Sequence, residues 1–304
     1  MTEQLKLKLN DSKATRWGAL VIVAFTMMAA YYVNDVVAPL KTMLETDLAW
    51  SSTDFGFFTG GYSFLNVFFL MLIWGGLILD RFGIRFTGKL ATILMVGGTA
   101  LEYYAMTGLA GADATLFGIN EIFGYKTGVF VAFAGYSIFG VGAEVAGITV
   151  SKIIAKWFKG KELATAMGVQ VALARIGSQA GYAVAIPLAR AFGISTPVLL
   201  GLVLLLGGMI AFFIFAVMDK KLDKQMEAAA IAAGTEDEEE KFSFKDVKNI
   251  LVNPGFWLIA LLCVLFYSCV FPFQKFASEL MIIKYGINAV SYTHLRAHET
   301  RSNL

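Results

Sequence analysis

The sequence predicts an all-α polytopic membrane protein, and three observations carry that prediction. Of 304 residues, 57% are hydrophobic and 16% charged, whereas a soluble domain carries about 25% charged residues. Apolar runs of spanning length recur seven times along the chain, and about twenty such residues cross about 30 Å of hydrocarbon as a helix. The charges between the runs are gathered in short blocks whose basic members alternate onto one side.

Residues 1–16 read as a cytoplasmic tail with Lys6, Lys8, Lys13 and Arg16. It is polar over its first twelve residues, so no cleavable signal peptide is expected. The first span runs from Trp17 to about Ala38, the second from Phe55 to Leu79, and the third from Thr87 to Thr107. Spans four and five flank the basic turn Lys156-Trp157-Phe158-Lys159-Gly160-Lys161, and span six runs from Pro197 to Met218. Residues 17–218 thus form a six-helix half. Residues 219–254 read as a cytoplasmic linker, with the acidic run Glu236–Glu240 and a short amphipathic helix marked by Phe244, Val247 and Leu251. A seventh span, about Phe256 to Ile283, opens a second half over residues 255–289. The excess of lysine and arginine in the tail, after span two, in the basic turn and after span six places the N-terminus in the cytoplasm.

Two intramembrane charges stand out. Glu144 lies 15 residues before Lys159 and Arg175 lies 16 after it, so each is roughly 23 Å from the turn along an antiparallel helical hairpin. A charge at mid-membrane costs about 2.5–3.5 kcal/mol on insertion scales. One of each sign at matched depth implies either a structural ion pair or a shared ligand carrying both signs. Tyr31, Tyr62 and Asn66 are further candidates to line the same cavity. Cys263 and Cys269 lie inside an apolar run, and no metal-ligand spacing or nucleophile and base set is found, so neither a cofactor nor an enzyme is expected.

Gly75-Gly76-Leu77-Ile78-Leu79-Asp80-Arg81-Phe82-Gly83-Ile84-Arg85 resembles the signature of the major facilitator superfamily. The resemblance implies a major facilitator fold, here its first six-helix half plus span seven, in a twelve-helix protein. It also implies that Gly76, Asp80, Arg81, Gly83 and Arg85 form a cytoplasmic gate between the halves. Gly142-Ala143-Glu144, Trp157-Phe158-Lys159-Gly160-Lys161-Glu162-Leu163 and Ala174-Arg175-Ile176-Gly177-Ser178 look like the lysosomal dipeptide uniporter branch of that superfamily. Tyr62-Ser63, Asn66-Val67 and Phe271-Pro272-Phe273 fit it too. In that branch, residues matching Glu144 and Arg175 contact the backbone termini of the substrate. Span five lacks the Gly-Pro pair of the superfamily's drug antiporters.

Gly140-Val141-Gly142 lies inside an apolar helix and reads as a site of close helix packing, as do Gly177 and Gly181, not as a nucleotide loop. The expected function is alternating-access transport of dipeptides or similar zwitterions by facilitated movement through the lipid bilayer. An organic-anion or monocarboxylate carrier of the same superfamily is the first alternative, and a non-transporting scaffold or receptor the second. A bacterial inner membrane is the expected location, with the need for an accessory subunit left open. Residues 290–304 carry both histidines, His294 and His298, without apolar period, and read as a non-native tail on a fragment of a longer protein.

Overall fold

A computed structural model describes residues 8–111, 114–116, 118–233 and 251–286. The chain forms two compact units, Met1–Thr235 and Glu236–Leu304. In the first unit the helices are α1 (Lys13–Val36), α2 (Lys41–Asp47), α3 (Ser52–Phe68), α4 (Met71–Thr107), α5 (Thr127–Trp157), α6 (Leu163–Phe192) and α7 (Thr196–Ala233). A two-stranded antiparallel hairpin, β1 (Glu121–Ile122) and β2 (Tyr125–Lys126), precedes α5. The described helix of the second unit is α8 (Pro254–Tyr285), which holds both free cysteines, Cys263 and Cys269. The expected amphipathic helix around Phe244 and Val247 and the expected non-native tail lie outside the described residues.

Packing sorts the first unit into two sets. α5 packs chiefly against α4 and α3, and α1 chiefly against α6 and α7. Two consecutive three-span sets have therefore exchanged their first spans, since α1 sits with the last two and α5 with the second and third. Internal repeats of this kind underlie many transporter folds. The exchange corrects one expectation. α5 and α6 do not form a packed hairpin, because each has its main contacts elsewhere.

Three helix boundaries also differ from expectation. The second span is not continuous: α3 ends at Phe68, Leu70 takes a left-handed conformation (φ 51°), and α4 departs at 58°. The apolar run through Phe68-Phe69-Leu70 contains no proline or glycine to announce this break. α4 in turn runs on through the loop expected between spans two and three, where Gly83 (φ 75°) makes the kink. At the other end, α7 does not stop at Met218 but continues to Ala233, because Asp219-Lys220-Lys221-Leu222-Asp223-Lys224-Gln225-Met226-Glu227 favours helix as strongly as the apolar run before it. Among the described residues, four of the helical stretches are long and apolar enough to cross a membrane, and α3 with α4 passes as a bent pair. α6 is of spanning length but falls outside that group; Gln170, Arg175, Gln179 and Arg190 dilute its apolar surface.

The end of the bundle holding the basic blocks is clasped by the start of the chain. Ser12 caps α1, accepting from the Thr15 amide. Lys161, in the α5–α6 turn, reaches Asp11 at 2.8 Å and also donates to the carbonyl of Asn10. Arg16 bridges to Glu162 at 2.7 Å, the Leu9 amide donates to Gln225 of α7, and Trp17 meets Phe158 edge-on. At the opposite end, Ser51 and Asp54 form a capping box on α3, and Tyr125 of β2 stacks on Phe57, which stacks on Phe133 of α5.

The Lys161 hydrogen bond holds the Asp11 carboxyl below its ordinary value, and the Arg16 hydrogen bond does the same for Glu162. A depressed carboxyl pKa stabilises the clasp at neutral pH, and that contribution is lost as pH falls below about 4. A spin label at Leu9→Cys in a cysteine-free background is therefore expected to stay immobile between pH 6 and 8. It should gain mobility as pH falls toward about 3, or as salt screens the more exposed Lys161–Asp11 pair.

Candidate functional site

The α3–α5 seam is set by contact between backbones. Gly140 of α5 lies so close to α3 that an added Cβ would collide with the carbonyl oxygen of Tyr62. Glu144 follows one turn later on the same face of α5. At this separation the Tyr62 hydroxyl donates to Glu144 Oε1 at 2.8 Å. The Tyr62 ring leans on Tyr136 and Phe139, with centroids 5.7 and 6.2 Å away. Asn66, one turn further along α3, donates its Nδ2 to the Tyr62 carbonyl at 3.1 Å.

The α6–α1 seam is built the same way. A Cβ on Gly177 would collide with the carbonyl oxygen of Met28, and the buried side of α6 is a stripe of Ala166, Ala174, Gly177, Ser178, Gly181, Ala185 and Ala189. This approach lays the Arg175 guanidinium over the Tyr31 ring at 5.5 Å. A cation over a tyrosine face is attracted by about 0.5–2 kcal/mol, depending on desolvation. Arg175 itself is exposed and lines a recess of ≈ 450 Å³ with Ala172, Ile176, Gln179, Ala180 and Ala183.

All five expected residues thus stand on two seams of similar construction. Glu144 is 13 residues from the end of α5 and Arg175 is 12 from the start of α6, about 18–20 Å along each helix. Among the described residues no ion pair joins them. Each charge is engaged by a tyrosine of a different helix. Tyr62 therefore positions Glu144 in addition to any contact it makes with a ligand. Glu102, whose surroundings could not be read from the sequence, is fully buried where α4 meets Gly135 of α5.

The expected gate residues fall into separate roles at the basic end. Asp80 accepts from Lys152 of α5 at 2.8 Å. Arg81 lies over the Phe82 ring, and Gly83 supplies the turn. Gly75 packs against Val145, while Gly76 faces open space. Arg85 joins a cluster that sequence reading missed. It pairs with Asp223 at 2.5 Å and lies 3.5 Å from Asp219, while Lys156 reaches both aspartates and the Trp157 indole donates to Asp219 at 3.0 Å. Asp219 is fully buried. The available signal was the i, i+4 spacing of Asp219 and Asp223, which puts both on one face only if the helix continues past Met218.

Comparison with known proteins adds a family match. The profile described as Major Facilitator Superfamily matches residues 20–294. The lysosomal dipeptide transporter MFSD1 of Danio rerio is 27% identical over 282 residues, covering 89% of this chain and 55% of its own length. MFSD1 of Homo sapiens is 27% identical over 290 residues, covering 91% and 56% respectively. MFSD1 of Gallus gallus is 33% identical over 179 residues, covering 52% and 38%. The chain spans about half the length of the curated relatives it matches.

Two consequences can be measured by thermal unfolding in detergent. Asp219→Asn leaves Lys156 short of a buried partner and is expected to cost about 2–3 kcal/mol, against under about 1 kcal/mol for the more exposed Asp223→Asn. Gly177→Ala is expected to cost about 1–3 kcal/mol through overpacking against α1.

Proposed function

The chain belongs to the major facilitator superfamily, whose members are multi-pass membrane transporters and not enzymes, and on that premise we propose that it carries dipeptides or similar zwitterions by facilitated, alternating-access transport. The observation that carries the reading is the separation of the two intramembrane charges. Had Glu144 and Arg175 been there to cancel one another, they would meet. Instead Glu144 holds one neutral donor and Arg175 rests on a ring, so neither charge is neutralised by the other. A ligand with an ammonium at one end and a carboxylate at the other would complete both.

The chemistry of the ends fits such a ligand. A guanidinium takes a carboxylate through two parallel, charge-assisted hydrogen bonds. The second oxygen of Glu144 is available to an ammonium, and two extended residues span about 7 Å between termini. The relatives named as dipeptide transporters support the same substrate class. In this reading the N-terminal half runs from residue 17 to the end of α7 at Ala233, a linker follows, and residues 255–289 are the start of the second half. The substrate sits at the bilayer midplane and is opened to each side in turn by alternating access. The basic end faces the cytoplasm by the positive-inside rule, in a bacterial inner membrane. Asp80 and Arg85, now paired with Lys152 and with Asp219 and Asp223, exchange these partners as the halves rock.

The test uses the product of the intact natural gene reconstituted in liposomes, with uptake of a labelled dipeptide as the readout. Glu144→Gln and Arg175→Ala are each expected to lower uptake about thirtyfold or more at unchanged folding, the scale on which one partner of a desolvated charge pair is lost. Simple monocarboxylates should compete poorly. If monocarboxylates are carried through Arg175 with no need of an amino group, the organic-anion reading replaces this one.

A further inference from the structure

Asn66 carries an unusual feature for a side chain one helical turn from Tyr62, the residue that holds Glu144. Its Nδ2 is committed to the carbonyl oxygen of Tyr62. Only the amide nitrogen can donate to a carbonyl, so this bond also fixes the orientation of the amide and identifies the other atom as oxygen. That Oδ1 is sealed from solvent and meets no donor among the described residues. Buried acceptors without partners are rare in native proteins, because removing one from water costs free energy that nothing returns.

Its neighbourhood states what could complete it. Tyr62 and Asn66 are four residues apart on one side of α3, and the Tyr62 hydroxyl is on Glu144. The orphan oxygen therefore lies on the same seam as the carboxylate, about one helical turn from the residue that positions it. Asn66 is also two residues from the end of α3 at Phe68, where the last carbonyls present the negative end of the helix dipole. Anion, orphan acceptor and helix C-terminus all favour a positively charged donor and disfavour a carboxylate.

We infer that Asn66 is a specificity-determining residue that accepts a hydrogen bond from the substrate ammonium held by Glu144, so that the amino end of the substrate lies at the α3–α5 seam and its carboxylate end at the α6–α1 seam. This inference rests on the zwitterion reading above and adds a second acceptor for the ammonium that Glu144 holds. An ammonium has three donors, and Glu144 and Asn66 take two of them. A des-amino analogue offers the α3–α5 seam no ammonium and leaves Oδ1 as orphaned as before.

The experiment compares uptake of alanyl-alanine and propionyl-alanine, which differ only by the ammonium, by the full natural protein in liposomes. The parent is expected to prefer alanyl-alanine. In Asn66→Leu, of similar volume, that preference should fall about tenfold or more, by loss of alanyl-alanine uptake at unchanged propionyl-alanine uptake. Arg175→Ala should lower both. The substrate-free Tm of Asn66→Leu should be equal to or above that of the parent, because an unsatisfied acceptor has been replaced by an apolar group. If Asn66→Leu lowers both substrates equally, or lowers Tm, Asn66 serves packing and this assignment fails while the zwitterion reading stands. A parent that carries alanyl-alanine no better than propionyl-alanine overturns both.

Discussion

Where Gly140 faces α3 and Gly177 faces α1, helix backbones touch with no side chain between them, and the setting of the two intramembrane charges depends on those two contacts. In hydrocarbon no gain comes from hiding apolar surface from water, so helices associate through close packing and hydrogen bonds. Glycine permits the closest approach. Once the backbones touch, what each helix presents one turn away is determined: Tyr62 meets Glu144 on one seam and Tyr31 lies beneath Arg175 on the other. The placement of charge is thus a result of where side chains are missing.

The two seams answer the same problem with different chemistry. A carboxylate is held by one neutral hydroxyl, and a guanidinium by a ring face. Both devices orient a charge without discharging it, which an ion pair would have done. The exchange of α1 and α5 between the two helix sets puts the seams on different helix pairs, so the two charges are presented by separate parts of the first unit.

Much of this was legible in the sequence, and the reasons differ by residue. Glu144 and Arg175 could be singled out because a charge inside a twenty-residue apolar run is costly and therefore rare. The packing role of Gly140, Gly177 and Gly181 could be read because small residues inside spans have few other uses. Which tyrosine meets which charge could not, since Tyr31, Tyr32, Tyr62 and Tyr136 differ only in which helix lies opposite, and that follows from the exchange of α1 and α5. The break after Phe68 left no mark because the run stays apolar through it. The continuation of α7 past Met218 was hidden for the opposite reason: hydropathy drops there while helix propensity does not, so the paired aspartates looked like part of a linker.

That continuation has a mechanical consequence. α7 is a single helix of 38 residues, about 57 Å long, gripped partway along by Arg85 of α4 and by Lys156 and Trp157 of α5, and near its far end by the Leu9 amide on Gln225. Beyond the grip it is a stiff arm. A pull applied at Ala233 is delivered to α4 just past its Gly83 kink and to the end of α5 with little lost in bending, and a displacement of those points swings Ala233 through a larger arc. The extension of α7 is thus geared to α5, the helix that carries Glu144.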